Sequence, residues 1–475
     1  MLRRRDLLGA APAFLQTASK PKNIVLLIAD DLGLHTGAYG DSTAKTPNLD
    51  RMAADGVRFT NAFCTTASCS ASRSVILSGL QNHTTGHFGH AHAPHNQSYL
   101  PSIQSTPQLL RAHGYKTGVI AKLHVNPLDK FPWDMNATRE TGRDVQAVAR
   151  RAREFVQASG GSPFYLHVGF TDPHRAGDGF ANRDYPGVTR NRFDPAKVKV
   201  PSYLPDNRPT REEVAEYYEA ANRLDQGIGM VFDVLREANQ LDNTLVVFIS
   251  DNGMPFANAK TNCYDAGLHL PMIVRAPGTA RRGIVNNAMV SWVDLVPTFL
   301  EWSGAKGPAY PLQGRSLMPI LEQENPAGRD EVFFSHTFHE ITMYYPMRGM
   351  RSRQYKYIRN LFPELSYPHA SDLWASKTWQ SVLGDGERAK VGGRAVGAYL
   401  HRNKEELYDI AADPDELNNL AGSAAHRATL ESMRKRVQQW RVETKDPWII
   451  QSLYDGEEIP GAPPANVPRR PRKGA

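Results

Sequence analysis

Cys69 heads a run, Cys69-Ser70-Ala71-Ser72-Arg73-Ser74-Val75-Ile76-Leu77-Ser78-Gly79, in which small residues give way to an apolar, helix-like stretch. Small residues let the chain turn tightly, so the cysteine sits where a helix begins. Free N–H groups and the positive end of the helix dipole favour an anion there. Arg73, one turn on, points the same way and can hold an anionic oxygen or the cysteine side chain itself. A lone cysteine at such a junction is equally a small buried hydrophobe, so the reading depends on its company.

That company is polar and well placed. Asp30 and Asp31 are adjacent carboxylates whose mutual repulsion calls for a cation between them. Asp251 and Asn252 add a further carboxylate and an amide oxygen. Together they form an all-oxygen set suited to a hard cation such as Ca²⁺ rather than to zinc. Lys122 and His124 suit anion binding and proton transfer, and His174 and Lys260 add a second pair of the same kind. His83, His87, His90, His92 and His95 crowd the stretch after Gly79 in no metal-site spacing, so a polar surface loop near the pocket is expected there.

The elements that must position these groups are legible. Asn23–Ala29, residues 164–170 and residues 244–250 are apolar, β-branched runs of the kind buried on both faces of a sheet. Each is followed at once by polar residues, which is where open α/β sheets bind ligands. Residues 115–121 read as a strand whose alternation sends Lys122 and His124 to one side, with further strands over 57–62 and 271–275. Helices are expected over 46–56, capped by Thr46, and over 107–113, 211–238 and 293–302. From about residue 331 the texture changes to an antiparallel sheet, with strands near 332–334 and 353–359, and a helix over 424–443 packs on it.

At 475 residues, 41% apolar and 22% charged, the chain can bury one large core or two domains. Its net charge of +7 lies mostly in the ends: +2 in residues 1–18 and +4 in residues 459–475, leaving +1 for the body. Such a distribution does not point to nucleic-acid binding. Three cysteines, Cys64, Cys69 and Cys263, are too few for a disulfide framework. Residues 1–18, with Arg3-Arg4-Arg5 before a short apolar run, look like a twin-arginine export signal too short to anchor in a bilayer, so a periplasmic or secreted protein is expected. Residues 459–475, rich in proline and arginine, read as a disordered basic tail.

The stretch from Cys69 to Arg73 resembles the signature of the sulfatase family, in which the cysteine is oxidised to formylglycine, a catalytic aldehyde. Where that signature has proline two residues after the cysteine, this chain has Ala71. The likeness runs from Asn23 to about Trp448. It implies the alkaline-phosphatase-like fold, α/β with a large mixed, mostly parallel sheet flanked by helices, in a catalytic domain of residues 19–330, with a smaller α+β domain over 331–458. Within the family the chain is similar to the sulfamidases, which hydrolyse the N-sulfate of glucosamine in heparan-sulfate breakdown. Asp172-Pro173-His174-Arg175, Arg223-Leu224-Asp225-Gln226-Gly227, Ser250-Asp251-Asn252-Gly253, Thr342-Met343-Tyr344-Tyr345-Pro346-Met347-Arg348 and Glu443-Thr444-Lys445-Asp446-Pro447-Trp448 carry that closer likeness, the last two lying outside the general sulfatase motifs.

Position by position, the resemblance implies that Asp30, Asp31, Asp251, Asn252 and the formylglycine from Cys69 hold Ca²⁺. It assigns Arg73, Lys122, His124, His174 and Lys260 to catalysis, and Lys260, His339, Glu340, Tyr344 and Arg348 to substrate binding. Lys260 stands where sulfamidases have arginine, which trades a planar fork for a point charge. The implied partners are an N-sulfated glucosamine glycan, taken from its non-reducing end, and a formylglycine-generating enzyme during maturation; a homodimer is compatible. The rival readings are an O-sulfatase, a phosphate or phosphonate ester hydrolase of the same superfamily, and a glycan-binding protein without turnover.

Overall fold

The computed structural model describes residues 22–454 and 459–462; the leader expected over 1–18 and the tail beyond 462 lie outside them. Eight strands form the main sheet: β1 Asn23–Ala29, β2 Val57–Phe63, β3 Lys116–Ala121, β4 Met135–Ala137, β5 Phe164–Gly169, β6 Thr244–Ser250, β7 His269–Arg275 and β8 Ile284–Ser291. Their order is β4-β3-β5-β1-β6-β7-β2-β8. The pairs from β4 through β6 and the β2–β8 pair are parallel, whereas β7 runs antiparallel to both its neighbours.

Alternation explains why β1 is apolar throughout. Ile24, Leu26 and Ile28 enter one hydrophobic core, and Val25, Leu27 and Ala29 enter another on the opposite face. The second core is closed by the helix Arg208–Glu237, whose Tyr217, Ala221, Leu224, Ile228 and Val231 are all buried on the face the periodicity marks.

A second sheet is wholly antiparallel, in the order β14-β11-β10-β9, from β9 Glu331–His336, β10 Met347–Ser352, β11 Tyr355–Asn360 and β14 Glu405–Asp409. The ribbon between them is β12 Lys390–Val391 and β13 Arg394–Ala395. The helix Arg427–Glu443 covers one face through Leu430, Met433, Val437 and Trp440. Phe334, Met347 and Ile358 on the other face join the same core as Ile24 and Leu26. The smaller sheet therefore has a small core of its own under the helix and shares the main core on its other face.

Several expectations need correction. Thr46 does not cap its helix; its Oγ1 accepts from Gly37 N at 2.8 Å. The cap of Pro47–Asp55 comes from Asp225, 177 residues on, whose carboxylate accepts from Asn48 N at 3.1 Å and Leu49 N at 2.9 Å. The histidine-rich stretch is a surface loop only in part: His83, His87 and His90 are buried, whereas His92 is exposed and His95 half-buried. Ile459 is buried too, so the expected tail begins with a residue seated on the fold. Cys64 and Cys263 are both buried and free. No helix among the described residues is long and apolar enough to cross a membrane.

Candidate active site

Strands β1, β3, β5 and β6 lie side by side and parallel, so the residues that follow them gather at one edge of the sheet. Asp30 and Asp31 follow β1, Lys122 and His124 follow β3, Asp172 and His174 follow β5, and Asp251 and Asn252 follow β6. The helix Cys69–Ser78 points its first residue into the same place. Cys69 is its first helical residue, wholly buried, as the small-residue run predicts.

Arg73 is also fully buried, and its partners differ from the expected ones. Nε donates to Asp251 Oδ2 at 2.8 Å, Nη1 donates to the Lys122 carbonyl at 2.9 Å, and Nη2 lies 3.9 Å from Asp30 Oδ1. Arg73 thus braces the carboxylates and the loop after β3. Gly169 makes this possible, because a Cβ there would meet the Lys122 carbonyl at 1.9 Å and Arg73 Nη1 at 3.0 Å. Lys122 and His124 reach the site because β3 ends in left-handed backbone at Ala121 (φ 60°) and His124 (φ 59°), not through strand alternation.

Charges alternate through the cluster. Lys122 Nζ donates to Asp30 Oδ2 at 2.5 Å, and Lys260 Nζ donates to Asp31 Oδ2 at 2.9 Å. His174 Nε2 lies 3.2 Å from Lys260 Nζ and 3.8 Å from Asp31 Oδ2. The His174 segment is held from behind: Asp172 receives both Arg143 and Arg223, and Arg175 Nη1 pairs with Glu213 Oε1 at 2.6 Å. Burial pushes the carboxyls of Asp31 and Asp251 up, and the crowd of like charges adds to it; for Asp30, Lys122, His174 and Arg73 outweigh burial and hold it low.

The donor set fits a hard cation. Asp30 Oδ1 and Asn252 Oδ1 are buried without hydrogen-bond partners among the described residues, and Asn252 turns its Nδ2 to Asp31 Oδ1 at 2.7 Å. Oxygens without donors on a carboxylate and an amide, beside two more carboxylates, are a donor set of the kind that suits a hard cation. On the other side, burial would raise the Cys69 thiol, yet Lys122, His124 and His90 hold it well below its usual range. Burial lowers the His124 imidazole to about 4.

His90 and His339 escaped any catalytic assignment on local grounds, yet both lie beside the head of the cysteine helix. His90 Nδ1 lies 3.9 Å from Cys69 Sγ, and the His339 ring, tilted against His90 at 3.9 Å, has its Nδ1 2.8 Å from Ser68 Oγ. His339 thus lies next to the site. Arg348 does not. It is fully buried, and its guanidinium grips Asp446 with two bonds of 2.9 Å. Tyr344 is half-buried and its hydroxyl accepts from Trp448 Nε1 at 2.9 Å. The segment of Tyr344 and Arg348 and the segment of Asp446 and Trp448 thus hold each other together. Glu340 serves a neighbour, accepting from Ser371 N at 2.9 Å and Ser371 Oγ at 2.6 Å. That anchors Asp372, whose Oδ2 accepts from Lys260 Nζ at 2.7 Å. Asp372 carries no local signal, since a Ser-Asp pair before Leu-Trp reads as an ordinary helix start.

Scaffold and cluster define a hydrolase of anionic esters on the alkaline-phosphatase-like fold. The chain belongs to the sulfatase family: the family model "Sulfatase" matches residues 22–305, and "N-sulphoglucosamine sulphohydrolase, C-terminal" matches residues 258–373. It is 37% identical to human N-sulphoglucosamine sulphohydrolase over 91% of this chain and 92% of that one. Among solved structures, a protein in complex with its substrate D-glucosamine-2-N,6-O-disulfate aligns at a TM-score of 0.66 and 19% identity, over 90% of this chain and 99% of that one. The phosphonate monoester hydrolase of Agrobacterium radiobacter aligns at 0.67 and 19% identity, over 89% and 96%. At such identities these two speak for the fold alone.

Proposed function

We propose that this enzyme removes the N-sulfate from glucosamine at the non-reducing end of heparan-sulfate-type glycans, using a formylglycine made from Cys69 and a bound Ca²⁺. The observation that carries the reading is the near full-length likeness, 37% identical, to human N-sulphoglucosamine sulphohydrolase. Asp30, Asp31, Asp251 and Asn252 would hold the ion, which supplies charge to draw electrons from the sulfuryl oxygens and to acidify the attacking hydroxyl. Formylglycine, installed by a formylglycine-generating enzyme, supplies a hydrated aldehyde whose second hydroxyl gives sulfate an exit that a thiol lacks.

The chain's own residues do the rest. Lys122 and Lys260, each seated on a carboxylate, offer ammonium groups to the anionic sulfuryl oxygens. His174 bonds the Arg175 carbonyl through Nδ1 at 2.6 Å, so Nε2 is the atom free to carry a proton to the leaving nitrogen. His124, neutral at neutral pH, takes a proton beside residue 69. The basic start of the chain supports twin-arginine export, to the periplasm or beyond, as part of the same proposal.

The test is sulfate release by protein co-expressed with the modifying enzyme, from glucosamine N-sulfate, glucosamine 6-O-sulfate and an aryl sulfate in parallel. Release far faster from the N-sulfate than from either ester is expected, with only slow turnover of the aryl sulfate; release from an O-sulfate alone keeps family and nucleophile but overturns the substrate. A second expectation concerns the ion. Chelation abolishes turnover, and Ca²⁺ at about 100 times its Kd stabilises the protein by about 2.7 kcal/mol in thermal melts. Asp251→Asn should lose that thermal response, and a melt indifferent to Ca²⁺ in the unsubstituted protein counts against the metal assignment.

A further inference from the structure

Asp372 enters the site on the short helix Ser371–Trp374, pinned by Glu340. Its Oδ2 receives Lys260 Nζ at 2.7 Å, and the same ammonium lies 2.9 Å from Asp31 Oδ2 and 3.2 Å from His174 Nε2. One nitrogen thus joins Asp372 to the ion-binding carboxylates and to the histidine that serves the leaving group. Lys260 is already neutralised by Asp31, so charge balance on the lysine does not call for a second carboxylate. Asp372 Oδ1 has no hydrogen-bond partner among the described residues, while the side chain as a whole keeps 22% of its surface exposed. A carboxylate with an unpaired, desolvated oxygen, held on the ammonium that also touches His174 Nε2, is an acceptor with capacity for a further donor.

We propose that Asp372 reads the sulfamate nitrogen and turns this site toward N-sulfates; the inference rests on the N-sulfate reading above. A sulfamate presents an N–H donor where a sulfate ester has a bare bridging oxygen. As the nucleophile's oxygen bonds to sulfur, the S–N bond breaks, its electron pair goes to nitrogen, and His174 Nε2 gives that nitrogen a proton. With protonation ahead of S–N cleavage, the nitrogen carries positive charge until the departing electron pair neutralises it and the amine leaves neutral; the Asp372 carboxylate accepts its N–H and stabilises that charge without giving up or taking a proton. The same carboxylate meets only lone pairs on the bridging oxygen of an ester, which it repels. The group that binds the amine is therefore also the one that disfavours the ester.

Asp372→Asn keeps the shape and removes the charge. Its expected effect is a loss of about 100-fold in kcat/KM on glucosamine N-sulfate and a change within about threefold on an aryl sulfate. Equal losses on both substrates overturn the inference, since Asp372 then acts only through Lys260. An unsubstituted enzyme active on the N-sulfate isolates that failure from failure of the substrate reading; one inactive on the N-sulfate removes both. Asp372→Ala, read in the same way, covers an asparagine variant that does not fold. Calorimetry supplies a readout that needs no turnover. Glucosamine, with its protonated amine, should bind more tightly than N-acetylglucosamine, and Asp372→Asn should erase the preference; a preference that survives shows the carboxylate facing elsewhere.

Discussion

Cys69→Ala ends sulfate release, with a fall of at least ~10⁴-fold in kcat, the scale on which removal of a nucleophile is felt. The fold should be indifferent to the change. Cys69 is the first residue of a ten-residue helix, Ser68 precedes it in extended backbone, and alanine is a good helix former that removes one buried sulfur, whose hydrogen-bond contact is the 3.9 Å one to His90 Nδ1. A melting temperature within a few degrees of the original, beside absent turnover, separates loss of chemistry from loss of structure. Mass spectrometry of the peptide around Cys69 in the active enzyme completes the test, because formylglycine is lighter than cysteine. Turnover retained by the alanine variant would sink the mechanism, whatever the substrate.

The largest expected effect on stability comes from Asp446. Its carboxylate carries Arg348 at 2.9 Å on each oxygen and Arg441 Nε at 2.8 Å, with all three side chains fully buried. Asp446→Asn leaves two guanidinium groups desolvated with no counter-charge, and breaking a buried pair in this way costs about 3–5 kcal/mol. Denaturant unfolding at neutral pH measures it. The pH dependence has a definite sign. Burial alone would raise the Asp446 carboxyl, but Arg348, His83 and Arg441 outweigh it and hold it well below the ordinary carboxylate range. The native group stays ionised where the unfolded one, near pH ~3.9, takes a proton. Its contribution is therefore complete above about pH 5 and drains away as pH falls through and below ~4. Original and variant should converge in acid. A gap that stays constant down to pH ~3 would show that the carboxylate's charge is not what stabilises the network.

The same network shows where sequence reading misplaces function. Arg348 stood out as part of a marked segment, and an arginine in a marked segment invites a sulfate. Its counter-ion lies 98 residues on, and only the packed fold shows that the pair is closed. Strand β10 went unread for the same reason: Arg348 and Arg351 interrupt its apolar pattern, yet both are buried, one against Asp446 and the other beside Asp265. Buried charge with a remote partner looks like surface in a one-dimensional pattern.

What the sequence by itself determined is what local physics can encode. Apolar, β-branched runs specify strands buried on both faces, small residues before an apolar stretch set Cys69 at a helix start, and polar residues after each strand mark the ligand edge. Asp30, Asp31, Asp251, Asn252 and Lys122 were legible because each follows a strand at once or one residue later, and His124 and His174 because they stand in the short loops beyond; parallel strands bring these ends to one edge. Only tertiary structure decided the groups that come from elsewhere. Asp225 caps a helix it follows by more than 170 residues, His90 and His339 meet beside Cys69 and Ser68, and Asp372 closes on Lys260 across 112 residues. These contacts have no local signature, because a side chain's partner is set by how the two sheets and their loops pack, and no spacing along the chain records that.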